Sequence, residues 1–387
     1  GDENTFFSFA VPLTHLQEGT NTLAVEIHQT SGSSSDISFD LRLRGTKPNT
    51  VNPLFMIGTG HLKARALDGG EWSALNNALF IVNAEIASNQ NLAITEMNYR
   101  PLRPTPQEEE AGLNSRSDFE FIELTNIGTT DVDLTNVRFS QGITFNFNDS
   151  PYGFILPVGQ SVVIVKNLAG FTERYPSVSA SVIAGEYSGN LSDDGEHILL
   201  VATDNSILRD FTYNDKSPWP EAPDGDGMTL TLVDPFRNPE HDDPISWRSS
   251  VATGGTPNGF DATTFTGVAA QDADQDQLTA LAEYAFGSSD NDATDKPFPV
   301  GVVETLDVGF GDEDYFMISY QRNLAADDVE YEVQISDDLV NWVTGPGNVE
   351  FVRAVNNGGG TEIVTYRSAT LFGTEKREFM RLVVMLK

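Results

Sequence analysis

Short runs of β-forming residues, each closed by turn residues, repeat along almost the whole chain. Examples rich in Val, Ile, Leu, Phe and Thr are TLAVEIHQ, FEFIELTNIG, QSVVIVKN and HILLVATDN. Gly, Pro, Asn and Asp follow at short, regular spacing, as in NIGTTD, LPVGQ and PDGDG. Strands this frequent, without intervening helices, predict an all-β protein built of tandem β-sandwiches. One segment, LTALAEYAF at 278–286, is predicted to be a short helix.

The chain is too long for one ordinary core, so its 387 residues predict several domains. Residues 91–262 hold the longest strand pattern. Residues 298–387 hold a second pattern, which predicts a C-terminal sandwich of six or seven strands. An acidic linker with the short helix, 263–297, separates these two regions. Residues 1–45 and 46–90 each hold too few strands to bury a core alone.

Acidic residues outnumber basic ones by 57 to 23, which gives a formal charge of −34. This charge repels nucleic-acid phosphates and anionic lipids, so both are excluded as partners, and it attracts divalent cations. The acidic excess suits either general solubility or a saline environment. Cysteine is absent, which excludes disulfides, thiolate zinc sites and cysteine nucleophiles. No apolar run reaches the ~20 residues of a membrane helix, which predicts no membrane insertion.

The pattern between 91 and 250 is specific enough to compare with a known family. It comprises NLAITEMNYRP, DFEFIELTNIGTTDVDLTNVRFSQGITFNF, ILPVGQSVVIVKN and IAGEYSGNLSDDGEHILLVATDNSILRDFTYNDKSPWP. These residues resemble the lamin tail domain, an immunoglobulin-like β-sandwich found widely in secreted bacterial proteins. The resemblance implies two face-packed antiparallel sheets, a scaffolding or adhesion role and no catalytic site. Within FEFIELTN, alternation puts Phe121 and Glu123 on one face and Ile122 on the other.

The two N-terminal regions carry further resemblances. VPLTHLQEGTNTLAVEIHQTSGSSSDISFDLRLRG, within 1–45, resembles the last strands of a galactose-binding-type jelly roll. GHLKARALDGGEWSALNNALFIV, within 46–90, resembles the end of a fibronectin-type or chitobiase C-terminal-type module. The module order resembles large exported proteins of planctomycete and verrucomicrobial type. These resemblances imply a secreted or cell-surface protein whose partners are other extracellular modules or surface polymers, polysaccharide among them.

Residues 272–283, DADQDQLTALAE, have the spacing of a calcium loop. Calcium binds roughly six to eight oxygens, which an EF-hand-type loop supplies from alternate positions and from a glutamate at the twelfth. The predicted ligands are the side chains of Asp272, Asp274, Asp276 and Glu283 and the carbonyl of Leu278. Gln277 stands at the sixth position, where glycine normally allows a positive φ, and a non-glycine residue there costs about 1 kcal/mol.

The same loop resembles the segment that follows thrombospondin type 3-like repeats. In those repeats aspartates precede a short helix and then a Gly-Ser/Thr-Asp turn, which here is GSSD at 287–290. The alternative is a solvated acidic linker in which an aspartate caps the helix. We expect a bound calcium to stiffen the linker, because without it the carboxylates repel one another.

The sequence carries no common catalytic motif: it lacks a GxSxG elbow, a P-loop, a dinucleotide fingerprint and an HExxH pair. Its five histidines are scattered, and each is expected to be a surface or strand residue. The sequence therefore predicts a non-enzymatic, extracellular or cell-surface modular protein with a scaffolding or adhesive lamin tail sandwich.

The alternative function is that of a carbohydrate-binding accessory module. It depends on exposed aromatic residues such as Trp72, Trp219 and Tyr187, because a sugar face needs planar rings in a groove. Core packing is the competing expectation for Trp219 and Trp247, and also for Trp342 after the DDL turn.

Overall fold

A computed structural model provides the structure of this protein. It describes residues 22, 60–65, 67–68, 70–80, 84–150, 155–309, 311–373 and 377–387. The chain divides into two compact units, Gly1–Ala84 and Glu85–Lys387. The predicted jelly-roll strands at 1–45 lie outside the described residues except for residue 22, and so does the start of the 46–90 region.

The described part of the first unit consists of two small antiparallel pairs. β1 (Gly60–Ala64) pairs with β4 (Asn76–Phe80), and β2 (Leu67–Asp68) pairs with β3 (Glu71–Trp72). Trp72 in β3 is 56% exposed.

The second unit begins with a two-layered sandwich. Its strands are β5 (Ala84–Ile86), β6 (Leu92–Asn98), β7 (Phe121–Asn126), β8 (Asp131–Asp133), β9 (Arg138–Gln141), β10 (Phe145–Asn146), β11 (Ile155–Leu156), β12 (Ser161–Val165), β13 (Ile183–Glu186), β14 (Glu196–Val201), β15 (Ile207–Tyr213), β16 (Leu230–Leu232) and β17 (Trp247–Ser249). One layer is a six-stranded sheet in the order β13-β12-β7-β6-β16-β17. The other layer contains β10-β9-β14-β15 and β11-β8-β5.

Residue alternation decides which face of the six-stranded sheet meets the second layer. Ile122 of β7 lies in the main core with Ile198 and Phe211 of the opposite layer. Phe121 points to the other face, where it packs in a separate cluster with Phe171. The predicted all-β sandwich and the predicted division of β7 into two faces are thereby confirmed.

Two helices in this sandwich were not predicted. They are α1 (Pro106–Glu110) and α2 (Leu168–Arg174). Thr105 and Glu108 form a capping box around α1, and Asn167 caps α2 by accepting a hydrogen bond from the Gly170 N–H. Because α2 carries the chain across the sheet, β12 and β13 run parallel, whereas the sequence predicted antiparallel pairing throughout.

The third helix, α3 (Ala280–Phe286), confirms the helix predicted at 278–286 but begins two residues later. Thr279 caps it, and Gly287 ends it with φ +71°.

The last part of the chain forms a module of six strands among its described residues. They are β18 (Val300–Asp307), β19 (Asp312–Asn323), β20 (Val329–Ser336), β21 (Val349–Gly358), β22 (Thr361–Ser368) and β23 (Phe379–Leu386). Four of them form the sheet β18-β19-β22-β21, and the other two form the pair β20-β23. The core between them contains Ile318, Val333 and Val364.

Helix α3 packs against this C-terminal module. Phe286, the last residue of α3, lies in one apolar cluster with Val329 of β20. Leu278, which precedes the helix, belongs to the same cluster. The last carbonyls of α3 accept hydrogen bonds from the module: Ala285 O from Tyr331 Oη at 2.6 Å and Phe286 O from Gln321 Nε2 at 2.7 Å. The acidic loop that precedes α3 is therefore attached, through the helix, to a packed structure. In the described part of the chain, no helix has the length and apolar character that crossing a membrane requires.

Candidate metal centre

The three predicted aspartates of the loop converge in the structure. Asp272, Asp274 and Asp276 each offer a carboxylate oxygen, and these oxygens lie within 4.8 Å of one another. Asp276 is buried and the other two are half-buried. Three carboxylates at this separation repel one another unless a cation or protons offset their charge.

The loop backbone is left-handed at two positions. Gln277, at the place where glycine is usual, has φ +85°, and Gln275 has φ +62°. Side chains hold this shape, because Asp272 Oδ2 accepts a hydrogen bond from the Gln277 N–H at 3.1 Å and Asp276 Oδ1 accepts one from the Leu278 N–H at 2.8 Å. Leu278, whose carbonyl was a predicted ligand, packs its side chain into the cluster under α3.

Glu283 lies in the first turn of α3, and its side chain is withdrawn from solvent without a partner. The residue is 1% exposed. Neither of its carboxylate oxygens has a hydrogen-bond partner among the described residues, and the same is true of Asp274 Oδ2 and Asp276 Oδ2. A buried polar atom without a partner costs roughly 1–3 kcal/mol, and more when it is charged. Four such oxygens at one place are therefore expensive unless a cation binds them.

Glu283 lies among other carboxylates. Burial, the adjoining Asp290 carboxylate and the charges of Asp274 and Asp276 together raise the pKa of Glu283 to about 7. Asp290, in the turn after α3, was not predicted as a ligand. Its Oδ1 accepts a hydrogen bond from the Ala273 N–H at 3.0 Å. The only sequence signal for this proximity is the aspartate that closes GSSD directly after the helix.

A second group of buried acids lies on the outer face of the six-stranded sheet, and its oxygens do have partners. Glu96 Oε1 accepts hydrogen bonds from Thr229 Oγ1 and from the Thr256 N–H. Glu123 Oε1 accepts one from Thr95 Oγ1 at 2.6 Å, and Oε2 accepts one from the Asn258 N–H.

Burial and mutual repulsion raise the pKa of Glu96 to about 8. Burial raises the pKa of Glu123 to about 7. Both glutamates line a cleft of about 330 Å³. Sequence reasoning missed this pair, because so acidic a chain gives no local sign of which carboxylates become buried.

Arg248 of β17 joins the sandwich to the C-terminal module beside this cleft. The residue is 2% exposed. Its Nε donates a hydrogen bond to Asp327 Oδ1 at 2.8 Å, and its Nη2 donates one to Asp261 Oδ1 at 2.6 Å. Asp327 precedes β20, so this buried ion pair connects two modules of the second unit.

The sandwich has two layers of sheet around an inner core, with α2 in the crossover between β12 and β13. Residues 85–215 match the family model of the Lamin Tail Domain. The predicted resemblance is confirmed for this part of the chain. The match ends just after β15, and β16 and β17 extend the lamin tail sheet beyond it. Comparisons with curated proteins and with solved structures found no match.

The aromatic residues agree only in part with the expectations from the sequence. Trp219 and Trp247 are buried, as core packing predicted. Tyr187 is also buried, and its hydroxyl donates a hydrogen bond to Glu120 Oε2 at 2.8 Å. The expectation that Trp219 and Tyr187 are exposed was therefore wrong. Trp342 is half-exposed instead of lying in the core, with the Arg381 guanidinium 4.2 Å from its ring centroid.

His241 corrects the expectation for the histidines, because it is buried in a turn. Its Nε2 accepts a hydrogen bond from the Ile94 N–H at 3.2 Å. Burial, together with Arg209, lowers the pKa of His241 to about 3, so the ring is neutral in the folded protein. His197 is an exposed strand residue that pairs with Asp210, while the side chains of His15, His28 and His61 lie outside the described residues.

Proposed function

We propose that this chain is a non-enzymatic modular protein of the cell exterior, in which the lamin tail sandwich is a scaffold or adhesion module. In this proposal, a calcium ion bound by Asp272, Asp274, Asp276 and Glu283 stiffens the segment that leads into the C-terminal module. The lamin tail match supports the scaffold part, because that immunoglobulin-like fold is a module without a characteristic catalytic site.

The buried carboxylate of Glu283 carries the calcium part of the proposal. A solvated linker, the competing interpretation, would leave this glutamate in water, where it needs no partner. Here both of its oxygens are buried and unpartnered beside three converging aspartates. The candidate metal ligands are all oxygen atoms, which suits a hard cation such as calcium and not zinc or copper.

The calcium affinity expected of this loop suits extracellular calcium concentrations better than those that sensor proteins detect. Gln277 stands at φ +85° where glycine would be unstrained, which weakens the site. Extracellular calcium modules work with dissociation constants near 10⁻⁴–10⁻³ M, roughly a hundredfold weaker than sensor loops. A net charge of −34 further favours cations over acidic partners at the surface.

Thermal unfolding of the full chain in excess CaCl₂ and in excess EGTA tests this function. If the calcium concentration is about 100 times the dissociation constant, the stabilisation is about 2.7 kcal/mol. We expect EGTA to lower the melting temperature of the second unit by roughly 5–10 °C and to increase proteolysis between 262 and 298.

A matched pair of variants separates specific binding from general ionic effects. Glu283→Gln removes the buried charge, whereas Glu173→Gln changes an exposed glutamate of α2. The calcium shift should disappear in Glu283→Gln and persist in Glu173→Gln. Equal melting temperatures of the wild-type protein in CaCl₂ and EGTA would remove calcium from the proposed function.

A further inference from the structure

Asp290 extends the loop in a way that the twelve-residue calcium pattern does not include. It lies seven positions beyond Glu283, outside the 272–283 segment, in the turn that follows α3. Its side chain nevertheless reaches back across the helix to the start of the loop, where Oδ1 accepts the hydrogen bond from the Ala273 N–H at 3.0 Å. The turn and the loop are thus in direct contact.

The Asp290 carboxylate also contacts the buried carboxylate of Glu283. Its approach adds a fifth carboxylate to a place where Glu283 Oε1, Glu283 Oε2 and Asp276 Oδ2 are already buried without partners. Without a cation, this additional negative charge would repel the nearby oxygens and destabilise the turn.

We propose that Asp290 is a further ligand of the bound cation. This inference rests on the calcium site of the proposed function and assigns to it a residue from a third segment. The cation then binds the loop 272–278, the first turn of α3 and the turn that contains Asp290. A site of five carboxylates can supply the larger oxygen shell of calcium, whereas magnesium keeps several waters and requires six ligands in a stricter geometry.

Calcium titration of the EDTA-treated full chain by isothermal titration calorimetry tests the assignment with Asp290→Asn. This variant keeps the Oδ1 acceptor for the Ala273 N–H, so a purely structural role of Asp290 would survive the change. Asp292→Asn is the matched control, because Asp292 lies in the same turn, is exposed, and bonds only locally to Thr294.

We expect Asp290→Asn to weaken calcium binding about tenfold or more, and Asp292→Asn to weaken it less than about twofold. Calcium should also protect the backbone amides of 287–295 from hydrogen exchange in the wild-type protein and not in Asp290→Asn. Wild-type affinity in Asp290→Asn would overturn the assignment while leaving the loop site intact. Absence of calcium binding by the wild-type protein would instead overturn the proposed function itself.

Discussion

Two groups of buried carboxylates in this protein differ in the number of hydrogen-bond donors around them. On the lamin tail sheet, Glu96 and Glu123 each accept hydrogen bonds from a threonine hydroxyl and from a backbone N–H. In the loop before α3, both oxygens of Glu283 and one each of Asp274 and Asp276 accept none among the described residues.

The difference shows that burial of an acid does not by itself indicate a ligand site. The sheet group satisfies its oxygens with the protein's own donors, and Arg248 forms ion pairs with the nearby Asp261 and Asp327. In the loop group, four carboxylate oxygens have no such donors, so protons or a cation must offset their charge. We therefore expect changes in the sheet group to alter stability equally in the presence and absence of calcium. Changes in the loop group should alter stability by an amount that depends on calcium.

Removal of the arginine should have the largest effect. Arg248→Met leaves Asp261 and Asp327 buried without their partner, and we expect a loss of about 3–5 kcal/mol in the free energy of unfolding. Urea denaturation in CaCl₂ and in EGTA should give the same loss in both. A loss below about 1 kcal/mol would contradict the expected weight of these ion pairs, and a loss that depends on calcium would show that the two groups are coupled.

The sheet group should also make stability depend on pH. The folded-state pKa values of Glu96 and Glu123, about 8 and about 7, lie above the ordinary glutamate value of 4.5, so the folded state binds more protons between these limits. The contribution of this pair to stability is then fully present below about pH 4.5 and is lost as the pH rises toward 8. We expect a loss on the order of 3 kcal/mol between pH 5 and pH 8 at saturating calcium.

Glu96→Gln provides the control for this pH dependence. Glutamine keeps the size and one acceptor oxygen but does not ionise, so the loss between pH 5 and pH 8 should fall to less than half. The groups that face Glu96, namely Glu123, Asp261 and the hydroxyl of Thr229, remain. His241 titrates equally in both proteins and cancels in the difference. An unchanged pH profile in Glu96→Gln would show that this pair does not hold the extra proton.

Glu283→Gln should change the sign of its effect with calcium. In EGTA the variant loses a repulsive buried charge, so we expect it to be more stable than the wild-type protein by about 1 kcal/mol. In calcium it loses a ligand, so we expect it to be less stable by about 2 kcal/mol. Urea denaturation under both conditions measures this reversal, and a variant that is less stable in both would indicate an ordinary structural glutamate.

The smallest expected effect comes from the strained residue of the loop. Gln277→Gly removes a cost of about 1 kcal/mol at φ +85°. If the free loop avoids this φ and adopts it only with calcium, the affinity rises by roughly fivefold. Gln271→Gly is the control, because Gln271 precedes the loop and does not have a positive φ. Calorimetric titration of both variants should show tighter binding for Gln277→Gly alone. Equal binding would mean that residue 277 has the same φ in the free and the calcium-bound loop.

The features that the sequence predicted are those set by local spacing. Alternation placed Phe121 and Ile122 on opposite faces of β7, and the aspartate spacing predicted the convergence of Asp272, Asp274 and Asp276. Helices α1 and α2 were missed because they are short and carry little helical periodicity, although their capping residues were visible in the sequence.

The features that the sequence could not predict depend on contacts between distant segments. Glu96 meets Thr229 only because β16 lies beside β6 in the sheet, and Arg248 meets Asp327 only because the C-terminal module packs there. Asp290 reaches Ala273 through the fold of the turn after α3. In a chain with 57 acidic residues, composition offers no way to select these few carboxylates in advance.

The most direct test of the calcium centre is a crystal structure of the full chain grown with CaCl₂, with anomalous diffraction to locate the ion. We predict one calcium peak among Asp272, Asp274, Asp276, Glu283 and Asp290, with oxygens at about 2.3–2.6 Å. A crystal grown in millimolar calcium that shows no peak there, with the Glu283 carboxylate still buried and unpartnered, would contradict this interpretation of the loop.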